Sequence, residues 1–149
     1  MMIVLRIIDS PPVWTLLFGF AAWKLTTFGQ PLGDALSLPG YTIMGVGVLL
    51  TIWAVTTLIA AKTTPVPRSK PRTLVRKGPY RFSRNPIYLA DLVILFGWCL
   101  SLGQPASLLL VPVLAFLLGK RFIAQEEETL RKRFGSVYRT WRTETPRWL

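Results

Sequence analysis

The sequence contains no histidine and a single cysteine, Cys99. The absence of histidine removes the commonest general base and the commonest ligand of transition metals. A lone cysteine excludes both a disulfide framework and a thiolate metal cluster. Any chemistry must therefore rely on carboxylates, Tyr, Arg, Asn and backbone groups, and we expect no metal site.

Acidic residues are also scarce. Seven Asp and Glu stand against 18 Lys and Arg, so the 149-residue chain has a net charge of +11, while 51% of its residues are hydrophobic. Charged residues make up 17% of the chain, against about 25% in a typical soluble domain. This combination is typical of a protein whose apolar residues cross a membrane and whose charges lie in loops. The length predicts one domain, and we expect no cleavable signal peptide.

Four apolar stretches predict four transmembrane helices. A helix needs about 20 mostly apolar residues to cross a bilayer; residues 41–61 meet that length, whereas residues 11–28 are shorter. Turn-forming residues at 101–105 divide the next apolar run into a helical hairpin, 87–119. We therefore predict an all-α, multi-pass integral membrane protein in which a cytoplasmic amphipathic helix, 120–142, follows the hairpin. The predicted spans are about 11–28, 41–61, 87–102 and 105–119.

The positive charges are concentrated in two segments. Eight of the 18 Lys and Arg lie in residues 62–84 and another eight in residues 120–149, whereas residues 29–40 contain none. With four spans both basic segments lie on the same side, which the positive-inside rule makes cytoplasmic. We expect both termini to be cytoplasmic and the location to be the bacterial inner membrane. The charges also favour anionic lipids, but not nucleic acid, because they flank apolar spans rather than form a stripe.

Residues 78–89, GPYRFSRNPIYL, carry more pattern than topology requires. Pro86 is suited to begin a helix, and Asn85 before it is suited to cap that helix. With Arg84 beside it, the positive end of the helix predicts a site for a carboxylate or phosphate. The structural alternative is a simple N-cap with aromatic and Arg side chains that reach the membrane interface.

Three consecutive glutamates, at 126–128, lie within the predicted amphipathic helix. At about 100° per residue, Glu127 falls within the apolar stripe and Glu126 at its edge, while Glu128 points away. Carboxylates on the buried side of a helix are costly unless they are paired. Glu126 and Glu127 are therefore candidates for ligand binding, and the structural alternative is an ion network with the basic loop. For Glu128 we expect contact with solvent only.

Asp91 is the only charged residue of the predicted hairpin. It follows Tyr88 by three residues and so lies on the same helix face. An intramembrane carboxylate is a functional-site candidate that should face protein or a water-filled cavity. The structural alternative is an ion pair with Lys24 or with a loop arginine.

Two blocks of the sequence resemble the isoprenylcysteine carboxyl methyltransferase and phospholipid methyltransferase superfamily of membrane enzymes. Residues 78–89 are similar to the superfamily's G-P-Y-R-x-x-R-(N/H)-P-x-Y-L block. The second block is similar to E-E-x-x-L-x-x-x-F-G-x-x-Y, with Glu126, Glu127, Leu130, Phe134, Gly135 and Tyr138 at the fixed positions. Arg147 with Trp148, and the Thr-Thr-Pro after the second span, also fit. The resemblance covers about residues 50–149.

The resemblance implies S-adenosylmethionine as methyl donor, bound at the cytoplasmic face between the 62–86 loop and the helix after the hairpin. By carry-over, the cofactor pocket contains Gly78, Tyr80, Arg84, Asn85, Pro86, Tyr88, Glu126 and Glu127. The candidate catalytic residues are Arg84, Asn85 and Asp91. The expected acceptor is a lipid-like or amphipathic carboxylate, amine or thiol that enters from the bilayer. Asn85 stands where the protein-methylating branch usually has His, which counts against a prenylcysteine substrate.

Two other classes of protein remain open at this point. A membrane reductase of sterol or isoprenoid type has a similar carboxy-terminal region and would use NADPH, whose extra phosphate suits the basic loop. Such reductases have several more spans than this chain. A non-catalytic membrane protein would use the same fold as a lipid-binding or partner module.

Overall fold

The structure is a computed structural model that describes residues 9–28, 34–63 and 73–149. These residues are helical and contain no β-strand, which confirms the all-α prediction. Their α-helices are α1 (Pro11–Leu25), α2 (Ser37–Ala60), α3 (Pro86–Ser101), α4 (Leu110–Leu118) and α5 (Ala124–Glu144). Four 3₁₀ turns, Thr26–Phe28, Asp34–Leu36, Gly78–Arg81 and Pro105–Leu109, and a π-helical turn, Gly119–Ile123, complete the described helical segments. The predicted 29–40 loop, the 62–86 loop and the Thr-Thr-Pro stretch lie partly outside the described residues.

Two of the described helical runs are long and apolar enough to cross a membrane by length and composition. They are Asp34–Ala60, with 27 residues, and Pro105–Glu144, with 40 residues. The helix α1 has 15 residues and α3 has 16, both short of the about 20 residues of a full span. Large apolar side chains are exposed on the bundle, including Leu16, Phe20, Leu49 and Ile52. Exposed apolar surface of this extent is typical of contact with a membrane or a partner.

Two differences from the predicted boundaries concern the second helix and the helix after the hairpin. The second helix begins at Ser37 rather than at residue 41, because Pro39 lies in its first turn, where the missing N–H costs no helical hydrogen bond. The predicted helix 120–142 is not a separate element. The π-helical turn Gly119–Ile123 continues α4 into α5, since it absorbs one extra residue without breaking the helix.

Glycines bring α2 and α3 into close contact. A Cβ on Gly97 would lie 2.6 Å from the carbonyl oxygen of Gly40 and 2.7 Å from the backbone nitrogen of Met44. A Cβ on Gly47 would lie 2.6 Å from the side chain of Ile94. Small residues that let two backbones approach are typical of helix pairs in membranes. This contact fixes α3, whose first turn carries several of the predicted site residues.

Two clusters of buried side chains lie on either side of the segment that leads into α3. The bundle core contains Ala22, Tyr88, Leu95, Cys99, Leu114, Leu118, Phe122 and Ile123. The loop core contains Ala54, Val75, Tyr80, Tyr138 and Trp141. Because Tyr80 belongs to the loop core and Tyr88 to the bundle core, the residues between them are held at both ends.

Candidate functional site

The loop before α3 is shaped by Gly78 and Tyr80. Gly78 has φ 58°, a left-handed conformation that favours glycine. A Cβ at this position would lie 2.8 Å from the Thr57 hydroxyl oxygen on α2. The turn that follows buries Tyr80, and this burial, together with the charge of Glu126, raises the pKa of the Tyr80 phenol. The loop is therefore pressed against α2, and Tyr80 stays a neutral group close to Glu126.

The third helix begins at Pro86, as the sequence predicts, but Asn85 does not cap it. A cap residue normally has an extended backbone. Asn85 has φ −132° and ψ 56°, which is not extended, and its side chain makes no capping hydrogen bond. Its Nδ2 donates instead to the carbonyl oxygen of Arg147, 3.0 Å away. Its backbone N–H donates to Ser83 Oγ at 3.1 Å. Asn85 thus ties the start of α3 to the end of the described chain.

Glu127 lies between two arginines. Its Oε1 is 3.1 Å from Nη1 of Arg84, and the two side chains are only 14% and 9% exposed. Arg147 donates to both oxygens of the same carboxylate, from Nε at 3.1 Å and from Nη2 at 2.5 Å. Nη1 of Arg84 also donates to the Tyr138 hydroxyl at 3.2 Å. Nε of Arg84 is buried and has no hydrogen-bond partner among the described residues, so this guanidinium can still donate to a ligand.

Glu126 is held from the bundle side. The Tyr88 hydroxyl donates to its Oε1 at 2.6 Å. The Tyr88 ring stacks on Phe122, with the ring centroids 6.4 Å apart. Phe122 belongs to the π-helical turn Gly119–Ile123 and is completely buried. The π-helical turn therefore places Phe122 against the Tyr88 ring, and Tyr88 holds Glu126 through its hydroxyl.

The three glutamates face the directions that the helix periodicity predicts. Glu127 and Glu126 contact residues at the start of α3, whereas the Glu128 side chain is 42% exposed. Glu128 does more than contact solvent: it pairs with Arg131 at 2.9 Å and with Lys132 at 3.3 Å. Hydrogen bonds from Arg131 and Lys132 lower the pKa of Glu128. The ion network that was the structural alternative for the inward glutamates is present at Glu127, with Arg84 of the basic loop and with Arg147.

Asp91 is buried one turn beyond Tyr88 and does not join the arginine network. It lies against Thr15 of α1, and its Oδ2 has no hydrogen-bond partner in the described part of the chain. The ion pair with Lys24 or a loop arginine, which was the structural alternative for Asp91, is not found among the described residues. Lys24 is nine residues beyond Thr15, about 13 Å further along the helix, and its ammonium lies over the ring of Trp23.

An apolar groove lies between α1, α2 and α3 beside this carboxylate. Its volume is about 380 Å³, and its lining includes Thr15, Met44, Leu95 and Trp98. Thr15 contacts both the groove and Asp91. The groove therefore lies next to the buried carboxylate of Asp91. Asp91 is on α3, and the first turn of α3 carries part of the charged site.

Some residues of the site were not among the predicted site residues. Arg147 and Tyr138 complete the network around Glu127 and Arg84, and Ser83 donates to the carbonyl oxygen of Arg147 at 3.2 Å. The resemblance includes Tyr138 and Arg147 as matching positions, which was the available signal. For Ser83 the sequence offers no signal.

Comparison with known proteins shows the family of the chain. The fold and the site define a helical protein with a charged site at one end of an apolar bundle. Residues 35–137 match the family model described as phospholipid methyltransferase, so the chain belongs to the phospholipid methyltransferase family. It is thus a member of a family of membrane methyltransferases, as the resemblance implied. The matched residues include 78–89 and the three glutamates.

A relative in Haemophilus influenzae, described as an uncharacterized protein, is 36% identical over 63 residues. The aligned residues make up 42% of this chain and 100% of that protein. No solved structure matches this chain.

Proposed function

We propose that the protein transfers a methyl group from S-adenosylmethionine to a lipid-like or amphipathic acceptor at the cytoplasmic membrane face. The observation that carries this proposal is the contact between two distant blocks of the chain. Arg84 and Tyr88, at the start of α3, hold Glu127 and Glu126 of α5. S-adenosylmethionine is the donor that members of this family typically use, which supports the same choice.

The side chains of the site fit the amino-acid end of such a donor. The buried Nε of Arg84 is a free donor for a carboxylate, and the positive end of α3 lies beside it. Glu126 and Glu127 supply acceptors for an ammonium and for ribose hydroxyls. Gly78, Tyr80, Pro86 and Asn85 shape the loop and the helix start on which these groups stand. When bound, S-adenosylmethionine supplies an electrophilic methyl group on a sulfonium.

Methyl transfer is an in-line displacement, so the protein contributes mainly by holding the two reactants in position. In this proposal the apolar groove between α1, α2 and α3 takes the apolar part of an acceptor that enters from the bilayer. Asp91, next to the groove, is the group that accepts a proton from an amine or a thiol. A carboxylate acceptor needs no such base, which suits a chain without histidine.

We further propose four spans, with both termini cytoplasmic and the protein in the bacterial inner membrane. The two basic segments, with eight positive charges each, support this orientation and contact with anionic lipids. The short helices α1 and α3 would require a locally thinned bilayer or burial within protein. Cysteine labelling at Gly103, and at Gly33 outside the described residues, should occur only from the outer side. Labelling of either position only from the cytoplasmic side contradicts this topology.

The experiment that tests the function is titration of the detergent-purified protein with S-adenosylhomocysteine and with NADPH. Binding of the sulfur nucleoside is expected for a methyltransferase. Binding of NADPH alone would identify a reductase of sterol or isoprenoid type. Binding of neither would leave the lipid-binding or partner module.

A further inference from the structure

The last five residues of the chain cross the end of the bundle at which α3 begins. The N–H of Thr145 donates to the carbonyl oxygen of Trp141 at 2.9 Å, and Thr145 is buried. At the other end, Trp148 packs against the bundle core. We call residues 145–149 the strap. It connects the loop core to the bundle core across the segment that contains the candidate site.

The strap contacts the site through its backbone. The carbonyl oxygen of Pro146 accepts a hydrogen bond from the backbone N–H of Arg84 at 3.0 Å. The carbonyl oxygen of Arg147 accepts two more, from Ser83 Oγ at 3.2 Å and from Asn85 Nδ2 at 3.0 Å. These three bonds hold the strap over the turn that precedes α3.

The side chain of Arg147 binds the carboxylate of Glu127, which the proposed function assigns to binding of the methyl donor. Oε1 of Glu127 receives Arg84 and Arg147, and Oε2 receives Arg147. A bidentate guanidinium takes both oxygens of a carboxylate in one plane. A ligand ammonium cannot take the same plane while this contact stands.

We propose that Arg147 competes with the donor's ammonium group for Glu127, so that donor binding displaces Arg147 and loosens the strap. This inference rests on the proposed function, because it takes an amino-acid nucleoside as the ligand. Release of Arg147 removes the ion pair from the contacts that hold the strap, and leaves the three hydrogen bonds to the turn before α3.

The exposure of the two arginines decides which of them gives way. The Arg147 side chain is 41% exposed, so its guanidinium can turn into water when it leaves Glu127. The Arg84 side chain is 9% exposed and donates to Tyr138 as well. Removing a buried charge from its partner costs far more than releasing an exposed one. Arg84 therefore stays on Glu127, and Arg147 is the displaceable cation.

The test compares ligand affinity in three variants of the full-length protein in detergent. Arg147→Gln should bind S-adenosylhomocysteine about fivefold more tightly than the wild type, because no guanidinium at position 147 then competes with the ligand for Glu127. This gain corresponds to about 1 kcal/mol. Arg147→Lys, which keeps the charge but loses the bidentate contact, should show a smaller gain. Arg139→Gln, at an exposed position of α5, removes one positive charge elsewhere and should leave the affinity unchanged.

A second ligand separates competition from a general effect on the pocket. The nucleoside 5′-methylthioadenosine has no ammonium or carboxylate, so its affinity should be the same in Arg147→Gln and in the wild type. Unchanged or weaker binding of S-adenosylhomocysteine by a folded Arg147→Gln protein would overturn the proposal. An equal gain for both nucleosides would overturn it too, since a wider pocket would then explain the effect. If neither the wild type nor any variant binds S-adenosylhomocysteine, the proposed function fails, and this inference fails with it.

Discussion

Replacing Glu127 with glutamine should weaken the binding of S-adenosylhomocysteine by about 10- to 150-fold, the range of a lost charge-assisted hydrogen bond of about 1.5–3 kcal/mol. The substitution removes the carboxylate that Arg84 holds at 3.1 Å in a nearly buried position. Glu126→Gln should also weaken binding, because Glu126 is the second inward carboxylate and the Tyr88 hydroxyl holds it beside Glu127. Titration calorimetry on the purified variants measures the effect.

Glu128→Gln is the matched control for these variants, since it makes the same chemical change one residue further along α5. Its side chain is exposed and, among the residues that the structure describes, its ion pairs are with neighbours on the same helix. The affinity of this variant should therefore stay within about 0.5 kcal/mol of the wild type. Equal loss of affinity in all three variants would show that the helix faces are assigned wrongly. A lower melting temperature with unchanged affinity per folded molecule would show that Glu127 serves only a structural ion network.

Replacing Gly135 with alanine should destabilise the protein by about 1–3 kcal/mol, the usual cost of a residue held in a sparsely populated backbone region. Gly135 lies inside α5 with φ 52° and ψ −118°, where the helix kinks. Tyr138, Trp141 and the strap all follow this kink in the chain. The positions of Tyr138 and Arg147 at the site therefore depend on it. Apart from its chain neighbours and the adjacent backbone of the helix, no atom of the described residues lies within 4 Å of a Cβ built on Gly135, so strain rather than a clash causes the loss. Thermal unfolding in detergent measures it.

Gly119→Ala is the control for this strain. With the same exceptions, an added Cβ on Gly119 also has no atom of the described residues within 4 Å, but the φ of −59° and ψ of −47° of Gly119 are ordinary helical values. An alanine there should leave the stability unchanged or raise it by up to about 1 kcal/mol. Equal melting temperatures for the two variants would mean that the kink at Gly135 carries no strain for alanine.

The sequence predicted those parts of the site that depend on local periodicity. A helix start at Pro86 follows from the fixed φ of proline and its missing N–H. The inward direction of Glu127 and the outward direction of Glu128 follow from the 3.6-residue period of a helix. The all-α fold follows from long apolar runs with few breakers.

Features that depend on distant contacts could not be predicted from the sequence. Asn is a residue type that often caps helices, but the side-chain amide of Asn85 donates to a carbonyl oxygen of the strap, 62 residues away. Pattern alone does not distinguish Gly135 from a tolerated helical glycine, because the kink depends on what packs beyond it. The contact of Arg147 with Glu127 joins residues 20 positions apart in different segments, and no periodicity links them.

The central claim is that the site formed by Arg84, Tyr88, Glu126 and Glu127 binds a methyl donor of the sulfonium nucleoside class. The most direct measurement is a calorimetric titration of the purified wild-type protein with S-adenosylhomocysteine. We predict a dissociation constant in the micromolar range, a binding free energy of about −8 kcal/mol. Binding of NADPH together with no measurable binding of S-adenosylhomocysteine would contradict the claim.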